Sequence, residues 1–243
     1  MLDANKYEVL SFDCYGTLVD WESGIISGLR PVLRTHGVEA TDDEILALHA
    51  QTEHKLQATS KRGAYLKYRQ VLGEEVREAG RRWGFEPSHS EVEALPDSVR
   101  YWLPFPDTVN ALRALKGTYR LAIISNIDDG LFALTARYLE VEFDYIVTAE
   151  QAGTYKPSQE NFELALERIG AAPEKILHVA ESLFHDHVPA KGRGLDTAWI
   201  HRRAAKGGFG ATPPAEAEPD LEVTDLESLV HALGLRGSEG DRS

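Results

Sequence analysis

The chain has 243 residues, one cysteine and a net charge of −13. That length suits one large domain or a core with a smaller insertion. The acidic balance excludes a nucleic-acid footprint, which needs clustered Lys and Arg, and the lone Cys14 excludes an internal disulfide. No apolar run approaches the ~20 residues of a membrane helix, and Met1 to Tyr7 lacks a signal-peptide apolar segment. A cytoplasmic protein is expected.

In chain order, the short apolar run from Glu8 to Asp13 predicts a buried strand ended by a carboxylate and a glycine turn. A helix follows from Trp21 to Thr35, with Ile25, Ile26, Leu29, Val32 and Leu33 on one side. Pro31 is expected to kink or split it, and Gly37 to stop it. Thr41-Asp42-Asp43-Glu44 reads as a capping box opening a helix through Ile45, Leu48 and Leu56 to Thr59. Ala64 to Trp83 is the clearest amphipathic helix, closed by Gly84. Within it Arg77, Arg81 and Arg82 alternate with Glu74, Glu75 and Glu78, the pattern of a solvated face. A short helix from Ser90 to Tyr101, broken near Pro96, completes this block.

After Pro104 the texture changes. Helices are expected at Asp107 to Lys116, Asp128 to Tyr138, Gln159 to Ile169 and around His187 to Lys191. Strands are expected at Arg120 to Ser125, Asp144 to Ala149, Ile176 to Ala180 and Thr197 to His201. Such alternation indicates a right-handed, parallel, doubly wound sheet. The fold class is therefore α/β: a Rossmann-like core of residues 1–18 and 104–235, interrupted by a helical cap over 19–103. Residues 236–243 form a polar tail expected to fray. Ala204 to Pro219 reads as a loop, and its Gly207-Gly208-Phe209-Gly210 lacks the strand-before, helix-after setting of a phosphate cradle.

Four places carry polar residues just past an apolar strand: Asp13, Ser125 with Asn126, Lys156, and Glu181 with Asp186. Strand ends of a doubly wound sheet converge on one edge, so these are expected to share a pocket. Singly, each has a bland reading: loop aspartates cap helices, and a lysine before proline is usually a surface residue. Cys14 reads as a packing residue, and His185 and His187 as loop or cap residues instead of metal ligands. Trp21 and Phe184 are candidates for an aromatic pocket wall.

Together these segments resemble the haloacid dehalogenase superfamily. Asp13-Cys14-Tyr15-Gly16-Thr17-Leu18 is similar to its first motif, Ser125-Asn126 to its second, Lys156-Pro157 to its third, and Glu181-Ser182-Leu183-Phe184-His185-Asp186 to its fourth. The resemblance implies that Asp13 attacks an electrophilic centre and forms a covalent ester that water hydrolyses. It implies that Lys156 keeps Asp13 ionised, that Ser125 and Asn126 hold a substrate oxygen, and that Asp186 orients or deprotonates the water. Ser182, Phe184 and Trp21 complete the substrate-facing set.

Phosphatases of this superfamily carry a second aspartate two places after the nucleophile; here Tyr15 stands there, as in the (S)-2-haloacid dehalogenase branch, which needs no metal or other cofactor. Two departures qualify the likeness. The segment Ile45 to Gln51, placed where that branch supplies a halide-facing arginine, has none, although Arg62 and Arg69 lie nearby. Glu181 also adds a carboxylate where the branch has a small neutral residue. The stretch Ala180 to His187, with Trp199 to Arg203, resembles an offshoot of the branch that opens the strained ring of (S)-azetidine-2-carboxylate.

The expected function is displacement of a halide or strained ring amine from C2 of a small carboxylic acid. Two alternatives stand beside it. One is a phosphatase with Mg²⁺ on Asp13, the Tyr15 carbonyl and Asp186 or Glu181; the other is a catalytically silent relative that binds a metabolite or partner. A homodimer is compatible with all three readings.

Overall fold

The computed structural model describes residues 3–60, 63–204 and 212–235. Its pivot is β1 (Val9–Phe12), whose four side chains are all buried, as a strand covered on both faces requires. Alternate side chains serve the two faces. Leu10 and Phe12 join the larger apolar cluster, and Val9 joins a second one with Ala122, Ile124, Phe162 and Ile169.

Five further strands complete the sheet: β2 (Arg120–Ser125), β3 (Tyr145–Thr148), β4 (Ile176–Ala180), β5 (Asp196–Ile200) and β6 (Leu221–Val223). Their order is β3-β2-β1-β4-β5-β6 and every pairing is parallel. The expected doubly wound α/β sheet is therefore present. It gains β6, whose three residues, two half-buried around an exposed Glu222, are too few to show a period.

Between β1 and the helix α5 (Thr108–Lys116) lie α1 (Trp21–Thr35), α2 (Asp42–Thr59), α3 (Tyr68–Trp83) and α4 (His89–Ser98). These four pack in a closed ring, α1 on α2, α2 on α3, α3 on α4 and α4 on α1. The core continues with α6 (Asp129–Leu139), α7 (Ala149–Ala152), α8 (Gln159–Ile169), α9 (Val188–Gly192) and α10 (Leu226–Ala232). The loop glycines 207–210 and the tail 236–243 lie outside the described residues.

Several local expectations are corrected. Pro31 does not split α1 and Pro96 does not break α4, which runs into a 3-10 turn at Val99–Tyr101. Each proline forfeits one backbone bond, and the burial of Leu29, Val32 and Leu33, and of Val92 and Leu95, holds the flanking turns together. The third helix starts at Tyr68 instead of Ala64 because the N–H groups of Tyr68 and Arg69 are taken by the Asp128 carboxylate, both at 2.8 Å. Glu75, expected on a solvated face, is fully buried against His49 at 2.7 Å. The Thr41–Glu44 capping box forms as read, and Cys14 is a buried core residue.

Candidate active site

The strand order reverses beside β1, and at such a switch point the carboxyl ends of neighbouring strands leave a crevice. Asp13 leaves β1 there, its N–H still donating to the Val179 carbonyl on β4 at 3.1 Å. The chain then turns sharply at Gly16, whose φ of +97° is left-handed and whose missing Cβ would stand 2.8 Å from Trp21 Nε1; a side chain has no room there. The turn brings Thr17 back onto the nucleophile candidate. Its hydroxyl donates to Asp13 Oδ2 at 2.8 Å and accepts the Glu181 N–H at 2.9 Å.

Lys156 enters from the loop after α7. Its ammonium donates to Asp13 Oδ1 at 2.9 Å, to Asp186 Oδ1 at 2.6 Å and to the Ile124 carbonyl at 2.9 Å. Burial works against an ammonium, but the two carboxylates outweigh it and keep the group above its ordinary range. The Asn126 amide braces this loop. It accepts the Lys156 N–H at 2.6 Å and donates to the Lys156 carbonyl at 3.1 Å. Asn126 is thus committed to the backbone of Lys156, a different task from the substrate contact expected of it, although it still lines the pocket.

Asp186 sits in a π-helical turn, Leu183–His187, after β4. Burial opposes its ionisation, yet Lys156 and His178 override that and hold its carboxyl well below the usual carboxylate range. His178 Nε2 lies 3.0 Å from Asp186 Oδ1, and its Nδ1 is 2.9 Å from Ser11 Oγ, all buried. Asp13 differs. Burial and the charge of Asp186 push its carboxyl up, against the pull of Lys156. Glu181 is pushed up to about 8, chiefly by burial and then by Asp13, so at neutral pH it is a protonated acid.

Tyr15 and Thr135 share a hydrogen bond of 2.7 Å between their hydroxyls. Burial drives the phenol well above its ordinary range, so it is a wall and no ready proton donor. Ser125 Oγ is buried with no hydrogen-bond partner among the described residues, as is Asp186 Oδ2.

One cavity of about 60 Å³ gathers Asp13, Tyr15, Trp21, Ser125, Asn126, Lys156, Glu181, Ser182 and Asp186. That is several times the roughly 10–15 Å³ one water needs and matches a small molecule. Phe184 is not among the lining residues; its ring packs edge-on against His185, 5.0 Å between centroids. Arg69 is held by Glu93 and Asp97, each at 2.7 Å, outside the cavity, and Arg62 lies outside the described residues.

Three lining residues carried no expectation, Glu53, Tyr68 and Thr212, and His185, expected as a loop or cap residue, lines the cavity with them. A helix pattern does not tell which polar residue turns inward, so Glu53 gave no signal beyond its i,i+4 spacing from His49. His178 was findable: a histidine inside the apolar strand Ile176–Ala180 demands a buried partner.

The donor set suits a divalent cation poorly. Among the described residues no three His, Cys, Asp or Glu side chains are grouped to hold a metal, and Asp13 and Asp186 are both engaged by the Lys156 ammonium.

The fold and this strand-end pocket define a Rossmann-like α/β hydrolase with an aspartate at its centre. Comparison makes the assignment definite: residues 7–183 match the family model for haloacid dehalogenase-like hydrolases, and the chain belongs to that family. Over 236 residues it is 27% identical to haloacetate dehalogenase H-2 of Moraxella sp. (strain B), covering 95% of this chain and 99% of the relative. Over 228 residues it is 28% identical to an (S)-2-haloacid dehalogenase of Pseudomonas fluorescens, covering 91% and 94%. A pyrimidine 5′-nucleotidase of Escherichia coli (strain K12) is 25% identical over 225 residues, covering 89% and 97%. Among solved structures, an L-2-haloacid dehalogenase superposes with a TM-score of 0.80 at 24% identity, covering 94% of this chain and 99% of the other, a likeness of fold.

Proposed function

We propose that the protein displaces a leaving group, a halide or a strained ring amine, from C2 of a small carboxylic acid through an ester on Asp13. The observation that carries this reading is the buried Asp13–Lys156–Asp186 array beside Tyr15, which offers a charged nucleophile and no phosphatase-type acid two places on. In the first step an Asp13 oxygen forms the C–O bond and the C–leaving-group electron pair departs with that group. In the second, water attacks the ester carbonyl, giving the 2-hydroxy acid and restoring the Asp13 carboxylate.

The supporting groups follow from their charge states. Lys156 pulls Asp13 towards its carboxylate form, against burial and the charge of Asp186. Asp186, well below the ordinary range, is a poor proton acceptor; its part is to hold Lys156 and to offer its unpartnered Oδ2 to the water. A cationic ring nitrogen leaves as a neutral amine; Glu181, protonated at neutral pH, then gives that amine a proton and, as the carboxylate so formed, takes one back from the water. A departing halide needs no proton. Ser125 Oγ is free to donate to the substrate carboxylate. We treat the four-helix ring as the cap that closes the pocket, since α1, α2 and α3 contribute Trp21, Glu53 and Tyr68 to it, and we place the activity in the cytoplasm.

A panel of 2-haloacids, cyclic imino acids and phosphate esters, with and without Mg²⁺, tests the reading. Turnover of a C2-substituted acid unaffected by EDTA is expected. Turnover confined to phosphate esters, abolished by EDTA and restored by Mg²⁺, would overturn it.

A further inference from the structure

The cavity holds four carboxyl groups, Asp13, Glu53, Glu181 and Asp186, against one ammonium, and no arginine is among its described lining residues. That ammonium is spent: the three N–H groups of Lys156 all go to Asp13, Asp186 and the Ile124 carbonyl. The nearby Arg202 and Arg203 are paired with Asp107 and Glu22, at 2.9 and 2.6 Å. His185, the lining imidazole, is held below its ordinary range by burial and is neutral at pH 7. No described lining residue therefore offers a free cationic N–H to a departing anion.

Glu53 has the opposite character. It reaches the cavity from α2 with its side chain 16% exposed, 3.5 Å from His49 Nε2 and accepting a hydrogen bond from Tyr68. His49 is shared with Glu75, which is 1% exposed and 2.7 Å from Nδ1, so two carboxylates outnumber the one imidazolium behind them. Burial works against ionisation of Glu53, but His49 overrides it and keeps the group a carboxylate. A braced anion in a small pocket is an acceptor for a cation. Elsewhere in the cavity, Ser125 is 1% exposed and its Oγ has no partner among the described residues, an unfilled donor suited to a substrate carboxylate.

We propose that the substrate is a small zwitterion, its carboxylate meeting Ser125 and its cationic nitrogen meeting Glu53, and that Glu53 sets specificity for it over a simple haloacid. The proposal rests on the Asp13 ester reading and selects a substrate class within it. A carboxylate beside the leaving group repels a departing halide and attracts an ammonium, so one residue acts in opposite senses on the two classes.

The test is a calorimetric titration of the full chain bearing Asp13→Asn, alone and with Glu53→Gln, with azetidine-2-carboxylate and with (S)-2-chloropropionate. The Asp13→Asn protein should bind the zwitterion at least about 10-fold more tightly than the haloacid, the range a charge-assisted hydrogen bond supports. Adding Glu53→Gln should cost about 10- to 100-fold for the zwitterion and leave the haloacid unchanged or tighter. Glu53→Asp in its place should recover part of the loss. Equal losses for both ligands, no loss for the zwitterion, or no binding of either ligand would overturn the proposal. If the wild type hydrolyses the haloacid through an Asp13 ester while the titration shows no zwitterion preference, only this proposal fails. If the zwitterion binds through Glu53 but neither compound is hydrolysed, the ester reading fails instead.

Discussion

Lys156 and Asp13, 143 residues apart in the chain, meet at 2.9 Å in a pocket where both are nearly buried. The same ammonium stands 2.6 Å from Asp186. The ammonium bridges the two carboxylates, so the lysine is at once the electrostatic support of the nucleophile and a structural keystone.

Replacing Lys156 with methionine keeps most of the volume and removes the charge. Breaking a buried ion pair from one side costs about 3–5 kcal/mol, and urea unfolding at pH 7 should show a loss of that order. The loss should shrink in acid. Asp186 is held below its ordinary pKa, so its contribution is present above about pH 4 and fades as pH falls further. Asp13, pushed up by burial, works in the opposite sense and makes the net slope shallower than Asp186 alone would give. A variant as stable as wild type at pH 7 would contradict the bridging role.

Tyr15→Phe removes a hydroxyl already engaged by Thr135. Since the phenol is no ready acid, kcat should fall by less than about 10-fold. A drop of about 10²–10⁴-fold, the size expected for loss of a general acid, would show that the phenol moves a proton in the reaction.

Glu181 provides a pH signature. It is neutral below about 8 and ionised above. If it gives its proton to the amine released by ring opening, kcat for such a substrate should fall as pH rises through about 8, and Glu181→Gln should remove that limb along with about 10²-fold or more in rate. Hydrolysis of a haloacid should show no such limb. Stability follows the same sign: with the folded-state pKa raised above the ordinary carboxyl value, stability linked to Glu181 is full in acid and lost as pH rises towards 8. The comparison of pH profiles for the two leaving groups checks it.

Asp128 ties the sheet edge to the helical ring. Its carboxylate accepts the Tyr65 hydroxyl at 2.9 Å and the backbone N–H groups of Tyr68 and Arg69 at 2.8 Å, capping α3 from another part of the fold. Asp128→Ala should cost about 1–2 kcal/mol, as loss of a helix cap does, and should speed amide exchange over the first turn of α3. Unchanged exchange there would remove the capping role.

The sequence carried much of this. β1, β2 and β4 were legible because a parallel strand buried on both faces reads as a mainly apolar run, and β3 and β5 because short segments between the helices stand where the alternation places a strand. Asp13, Ser125, Lys156 and Asp186 were legible because strand ends converge. β6 was not, because three residues, none of them fully buried, after a Gly/Pro-rich stretch show no period. Glu75 was misread as solvated because its neighbours Glu74 and Glu78 pair with Arg81 on the outside while Glu75 turns in to His49. Glu53 stayed hidden for a related reason: which face of a ring-packed helix turns to a pocket depends on neighbours far along the chain. Asn126 was found, but its amide turned out to serve Lys156.

The central claim is the Asp13 ester. A single turnover of a C2-substituted acid in heavy-oxygen water, with enzyme in excess, followed by mass analysis of the Asp13 peptide and the hydroxy acid, tests it most directly. Water attacks the ester carbonyl, so heavy oxygen should appear in Asp13 and not in the first-turnover product, and Asp13→Asn should lower kcat on the order of 10⁴-fold or more. Heavy oxygen in the first product with none in Asp13 would mean that water attacks C2 directly, and would contradict a covalent role for Asp13.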